Sequence, residues 1–414
     1  MNSFSFIFII FVLLSSALQL WLVRRQVNSV QQHKPKVPDA FAEKITLEEH
    51  QKAADYTTAK ANLGTKEFLF STTLLFIWTL GGGLEFLDQA WRAAEWSELW
   101  TGVAVILSLT FIGQILDLPL GLYRTFRLEA KFGFNRTTLG LFFTDMVKGL
   151  AIGLAIGIPF MTLILWLMGH AGTYWWLMVW VIWMGFNVFI MWAYPAFIAP
   201  LFNKFVPLEE GELKQRVEEL LSNNGFASQG IFVIDGSKRS GHGNAYFAGI
   251  GKNKRIVFFD TLLEGLTTDE IIAVLAHEVG HFKCNHLKKG VAMMSVMSLL
   301  GLALLGYLLQ QPWFYNGLGV GTPSTYMGLI LFALALPVFT FFIHPLTSWF
   351  SRKHEFEADA FAAKHAKADD LIQALVKMYK ENASTLTPDE LYSSFYDSHP
   401  SAPIRINHLE SLSN

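Results

Sequence analysis

Two histidines four residues apart, His277 and His281, with Glu278 beside the first, are the residues of this chain best placed to do chemistry. At 3.6 residues per helical turn the two imidazoles leave one face a turn apart, so both can reach one metal ion. Glu278 projects about 100° away. From there it reaches a water beside the metal rather than the metal itself, which is where a general base belongs. The pattern therefore points to hydrolysis with a divalent metal. The competing reading is a solvated helix that carries His, Glu and His by chance.

The surroundings favour the metal. Thr267-Thr268-Asp269-Glu270 reads as a capping box, and Ile271, Val274 and Leu275 follow at helical spacing, so the motif sits on a defined, half-buried helix. Ala276 and Gly280 are small and leave room beside the histidines. Cys284, the single cysteine, excludes an intrachain disulfide. It lies three residues after His281 and is either a ligand or a buried apolar thiol. The second is favoured, because a catalytic zinc with a Glu base usually takes two His and one Glu.

Two histidines cannot complete a catalytic zinc site, and Cys284 and Leu287 stand where a metzincin would place Gly and His. The segment 351–362 reads as a helix on which Glu355 and Asp359 share one face. Glu355 could bind one zinc per chain, with Asp359 orienting a metal-bound imidazole and Arg352 anchoring both carboxylates. Glu357 points away as a solvated charge, and His354 is the rival ligand. Peptide hydrolysis builds negative charge on the carbonyl oxygen, so a donor is needed opposite the metal; His399 and Arg405 could supply it. Taken alone, His399-Pro400 reads as a surface turn.

The elements that must hold these residues lie in a membrane. Of 414 residues 52% are hydrophobic and 16% charged, and the mean hydropathy is +0.34. Soluble domains carry about 25% charged residues. A net charge of -2 gives no case for nucleic acid. Apolar runs at 4–23, 68–87, 99–122, 149–169, 175–199, 288–310 and 326–350 predict seven transmembrane helices, the first uncleaved because no basic residue precedes it. Segments 88–98, 170–174 and 311–325 hold one basic residue, Arg92, whereas the alternate segments are basic or large. That asymmetry predicts an outside N-terminus and a cytoplasmic catalytic region.

The predicted organisation is residues 1–200 with five spans and cytoplasmic loops 24–66 and 123–148, an α/β metalloprotease insert at 201–286, spans six and seven at 287–350, and a helical segment at 351–414 that completes the zinc site. Gly149, Gly153 and Gly157 predict a close helix approach. Pro119, Pro159, Pro195 and Pro337 predict kinks, and Asp117, Asn187 and His344 place polar groups at membrane depth. Within the insert, residues 209–224 read as an amphipathic helix and 230–235, 244–248 and 255–260 as strands. The segment 244–248 would be an edge strand that holds an extended peptide, with Asn244 and Ala245 nearest the metal, or else one arm of a plain hairpin.

Taken together, residues 133–145 (Gly133-Phe134-Asn135-Arg136 at their start), Ser237-Lys238-Arg239-Ser240, Asn244-Ala245-Tyr246-Phe247, the His277–His281 motif, Glu355-Phe356-Glu357-Ala358-Asp359 and Ser398-His399-Pro400 with Arg405 resemble the type I CAAX prenyl proteases, integral-membrane zinc proteases of the gluzincin kind. The resemblance implies that His277, His281 and Glu355 are ligands, Glu278 the base, and His399 and Arg405 transition-state donors. It further implies a water-filled chamber enclosed by seven helices and removal of a C-terminal tripeptide after a prenylated cysteine. His242 and Cys284 are departures. The alternatives are a quality-control zinc protease that takes membrane proteins and, from another class, a transporter or channel with a structural metal. The ending Ser-Leu-Ser-Asn carries no retention signal, which favours a bacterial inner membrane over the endoplasmic reticulum.

Overall fold

Inside a bilayer a backbone must satisfy its own polar groups, so apolar runs of spanning length fold as helices. The computed structural model describes residues 1–226, 230–248 and 255–413. Among these, six helices are long and apolar enough to cross a membrane: Ser3–His33, Glu98–Phe132, Leu139–His170, Gly172–Phe202, His286–Leu308 and Thr325–His365. Leu47–Trp78 and Gly83–Arg92, bent by 52°, make a seventh if they form one span.

Contacts between the connecting segments favour seven. At one end the Asn2 amide donates to the Trp313 carbonyl at 2.8 Å, Glu85 accepts from the Gly321 N–H at 2.9 Å, and the buried Asp88 accepts from Tyr326 at 2.5 Å. At the other, Arg25 pairs with Asp389 at 2.9 Å, Lys380 with Glu49 at 2.8 Å, and Tyr56 donates to Glu129 at 2.8 Å. Successive connections thus gather at alternate ends, as an odd number of crossings requires. The prolines at 119, 159 and 337 lie inside helices, while Pro195 falls in a π-helical turn, Tyr194–Ile198.

Several expectations differ from the structure. Segment 24–66 is mostly helical rather than loop, because Ser3–His33 continues past Arg24-Arg25 and a capping box between Thr46 and Glu49 opens Leu47–Trp78. Its Ala53, Tyr56 and Leu63 are buried with Leu128, Phe132 and Phe134 in a small core at the polar end. The boundary expected at 350 falls within one helix, His344–His365, which follows Thr325–Thr340 after a 3₁₀ turn. A Cβ at Gly149, Gly153 or Gly157 would meet nothing within 4 Å, so that stripe receives no helix.

The soluble part is built on a four-stranded sheet of order β1-β2-β4-β3: β1 Phe205–Pro207, β2 Ile231–Ile234, β3 Ala245–Ala248 and β4 Arg255–Phe259. Strands β2 and β4 run parallel; β1 and β3 are antiparallel to their neighbours, and β3 is an edge. Ile256 and Phe258 point into a core shared with Ile271 and Leu275 of the helix Thr268–Lys283 and Leu371 and Leu375 of Ala368–Glu381. That core fixes the helix bearing the two histidines beneath the sheet.

Candidate metal centre

The capping box is present: Glu270 N–H donates to Thr267 Oγ1 at 3.4 Å and Thr267 N–H to the Glu270 carboxylate at 2.7 Å. It starts Thr268–Lys283, which is buried on nearly every side as far as Gly280. His344–His365 packs across it. Gly280 makes this possible, since a Cβ there would lie 3.0 Å from Ala358 Cα and 3.1 Å from its carbonyl oxygen. Backbone cannot yield cheaply at that distance. Gly280→Ala is therefore expected to push the two helices apart and lower metal content in the purified protein; a variant with full metal content would show that the contact does not set the site.

Across this contact the donors converge. His277 Nε2 and His281 Nε2 are 3.1 Å apart, Glu355 Oε1 is 3.2 Å from His281 Nε2, and Glu355 Oε2 is 3.5 Å from His277 Nε2. Ligands at about 2.1 Å around a tetrahedral zinc lie about 3.4 Å from one another, so the three positions fit such an ion. Glu355 Oε2 is also buried without a hydrogen-bond partner among the described residues, a costly state that a bound cation would relieve.

Behind the donors, Asp359 Oδ1 lies 2.8 Å from His277 Nδ1, and Arg405 grips the same carboxylate through Nε at 2.9 Å and Nη2 at 2.6 Å. A metal on Nε2 needs the ring proton on Nδ1, where Asp359 accepts it. Burial works against a charged His277, but Asp359 and Glu355 outweigh it and raise its pKa above the usual value. Burial likewise opposes the Arg405 charge, and Asp359 again prevails. The pocket is thus built to hold positive charge.

The half-buried Glu278, outside the donor trio, faces a cavity of about 340 Å³ also lined by Asn244, Ala245, Tyr379, Asn382 and His399. The exposed His399 holds Nε2 3.4 Å from Glu355 Oε1. A second cavity, about 620 Å³, begins at the same wall of Tyr379, Asn382 and His399 and extends between the first two membrane helices past Leu20, Val23 and Phe68.

Residues 26–204 match the family described as CAAX prenyl protease N-terminal, five membrane helices, and residues 207–413 match peptidase family M48. The chain belongs to peptidase family M48. This M48 peptidase is 35% identical to CAAX prenyl protease 1 of Saccharomyces cerevisiae over 421 residues, covering 95% of this chain and 92% of the relative. It is 32% identical to the CAAX prenyl protease 1 homolog of Arabidopsis thaliana, covering 97% and 96%. The crystal structure of S. mikatae Ste24p superposes with a TM-score of 0.91 at 34% identity, covering 99% of each chain. The M48 peptidase is a multi-pass membrane metallopeptidase, and the expected helical membrane fold with a catalytic insert is the fold it has.

Arg352 differs from expectation, and Arg405 makes a contact that was not expected. Arg352 does not anchor Glu355 and Asp359; its Nη1 donates to the carbonyls of Ser393 at 3.1 Å and Asp397 at 3.0 Å, at the C-terminal end of the helix Glu390–Tyr396. It holds the turn that carries His399. The carboxylates are anchored by Arg405, which binds Asp359 and also stands on the wall of the cavity beside Glu278. Glu357 is no free solvated charge, because it accepts from His286 at 3.0 Å and Lys289 at 3.3 Å. The rival ligand His354 stacks on His286 at 4.0 Å and 13°. Cys284 groups with His286 and Glu357 rather than with the metal trio.

Sequence reasoning missed the clamp on the segment that leads into the edge strand. Arg239 donates to Asp145 at 2.7 and 3.0 Å and to Asn203 at 2.7 Å, while the Arg136 N–H and Thr137 hydroxyl both donate to the Arg239 carbonyl. Segments 133–145 and 237–240 thus brace each other beside β3. Opposite charges at Asp145 and Arg239 were visible, but nothing local paired them.

Proposed function

We propose that this protein is a zinc endopeptidase that removes the C-terminal tripeptide after a prenylated cysteine, with one zinc per chain held by His277, His281 and Glu355. The observation that carries the reading is the donor trio opening, beside Glu278, on a cavity walled by an edge strand, which shares Tyr379, Asn382 and His399 with a second cavity of mixed polar and apolar lining between membrane helices. A peptide could lie in the first and an isoprenoid chain in the second. The relatives named above support the same substrate class.

Phe259 N–H donates to the Asn244 carbonyl at 3.0 Å, and strand groups alternate, so the N–H and C=O of Ala245 face away from β4. A substrate strand can pair there by main-chain hydrogen bonds once it displaces the Asn244 side chain, whose oxygen holds the Ala245 N–H at 2.8 Å. Bound zinc would supply Lewis acidity at the scissile carbonyl. Glu278 takes a proton from the attacking water and passes it to the leaving amine. His399 donates to the carbonyl oxygen as charge builds there. Arg405 acts one step back, holding Asp359 and through it the His277 ring.

A structural zinc, as in a transporter, would need four protein donors; Cys284 stands apart from the trio, which supports an open catalytic position. The basic segments 24–66 and 123–148 support a cytoplasmic catalytic end. Cleavage of farnesylated and unmodified versions of one peptide tests the substrate. Release of the tripeptide from the farnesylated form alone, or much faster, is expected; equal rates would favour the quality-control reading.

A further inference from the structure

His277 has Asp359 behind it, but among the described residues no carboxylate stands directly behind His281. We propose that His286 and Glu357 are positioning residues that orient His281 for the metal, an inference resting on the metal reading above. His281 presents Nε2 to the trio, which leaves Nδ1 pointing away, 2.9 Å from His286 Nδ1. A metal on Nε2 requires a proton on His281 Nδ1, so His286 Nδ1 must accept it. The His286 proton then sits on Nε2, 3.0 Å from Glu357 Oε2, which also takes the Lys289 ammonium at 3.3 Å. Each proton in this line has one acceptor, and its direction is fixed.

The chain is bent to make the contact. Asn285 adopts a left-handed conformation with φ of 58°, unusual for a residue other than glycine, and turns the following helix His286–Leu308 so that its first residue returns under His281. His286 is buried, and the His354 ring stacked on it fixes its plane. The same atoms could be read as a second cation site formed by Cys284, His286 and Glu357. A cation on His286 Nε2 would force its proton onto Nδ1, opposite the proton of a metal-bound His281. The two protons would collide, so the orienting role is the one compatible with the first metal.

The test uses the full chain in detergent, with zinc retention against a chelator and the visible spectrum of the cobalt-substituted protein. His286→Ala is expected to weaken metal binding about 10–100-fold and shift the cobalt bands. His286→Asn, whose side-chain oxygen can accept near the Nδ1 position, should recover most of the loss. Cys284→Ser should match the parent. Parent-like binding and spectrum in His286→Ala would overturn the inference. So would a His286→Asn as weak as His286→Ala, or two cobalt ions per parent chain falling to one in Cys284→Ser. Failure of the underlying reading looks different: the parent would hold no stoichiometric zinc, or His277→Ala would keep it.

Discussion

Replacing Glu278 by Gln is expected to leave zinc bound while peptide cleavage falls by about 10²–10⁴-fold, the range a positioned general base contributes. Glu278 lies on the metal helix but outside the donor trio, so removing its charge costs no ligand. Gln keeps the shape and loses the basicity. Metal analysis and single-turnover cleavage on the same preparation separate the two effects, and His277→Ala, which should lose both metal and activity, is the reference. Undiminished turnover in Glu278→Gln would remove the mechanism. Loss of metal in that variant would instead make Glu278 a ligand and require a different base.

What could be read from the sequence was local. The His277–His281 spacing, the capping box before it and the shared face of Glu355 and Asp359 all repeat within two or three helical turns, where periodicity alone fixes direction. The arginines could not be assigned this way. Arg352 lies on the expected helix, yet which partner covers it depends on where residues 393–397 arrive, and the orphan carbonyls at that helix end claim it. Arg405 reaches Asp359 from 46 residues away, a contact with no local signal. The role expected of one arginine thus belongs to the other. His286 depends on the backbone reversal at Asn285, and β1 is too short for alternation to mark it. Gly280 was read as room for the histidines, but its hydrogen is needed by the helix that delivers Glu355.

That delivery frames the second large effect. Glu355→Ala is expected to release zinc from otherwise folded protein, with a loss of affinity greater than the about 10–100-fold that removing an outer hydrogen bond costs. The fold should survive, because Asp359, Arg405 and His277 remain bonded to one another and Ala358 still packs on Gly280. Removing Glu355 also takes away the carboxylate facing His281 and His399, so these rings lose a partner while the Asp359 contacts stay. Cys284→Ser and His354→Ala test the competing ligands, and neither should release metal. If Cys284→Ser emptied the site while Glu355→Ala kept its zinc, the third ligand would lie at the C-terminal end of the metal helix. The seventh crossing would then have no part in binding the ion. With Glu355 as ligand, by contrast, the donor set spans the insert and the membrane domain, so any change that tilts the seventh helix should be read out in metal affinity before it is read out in stability.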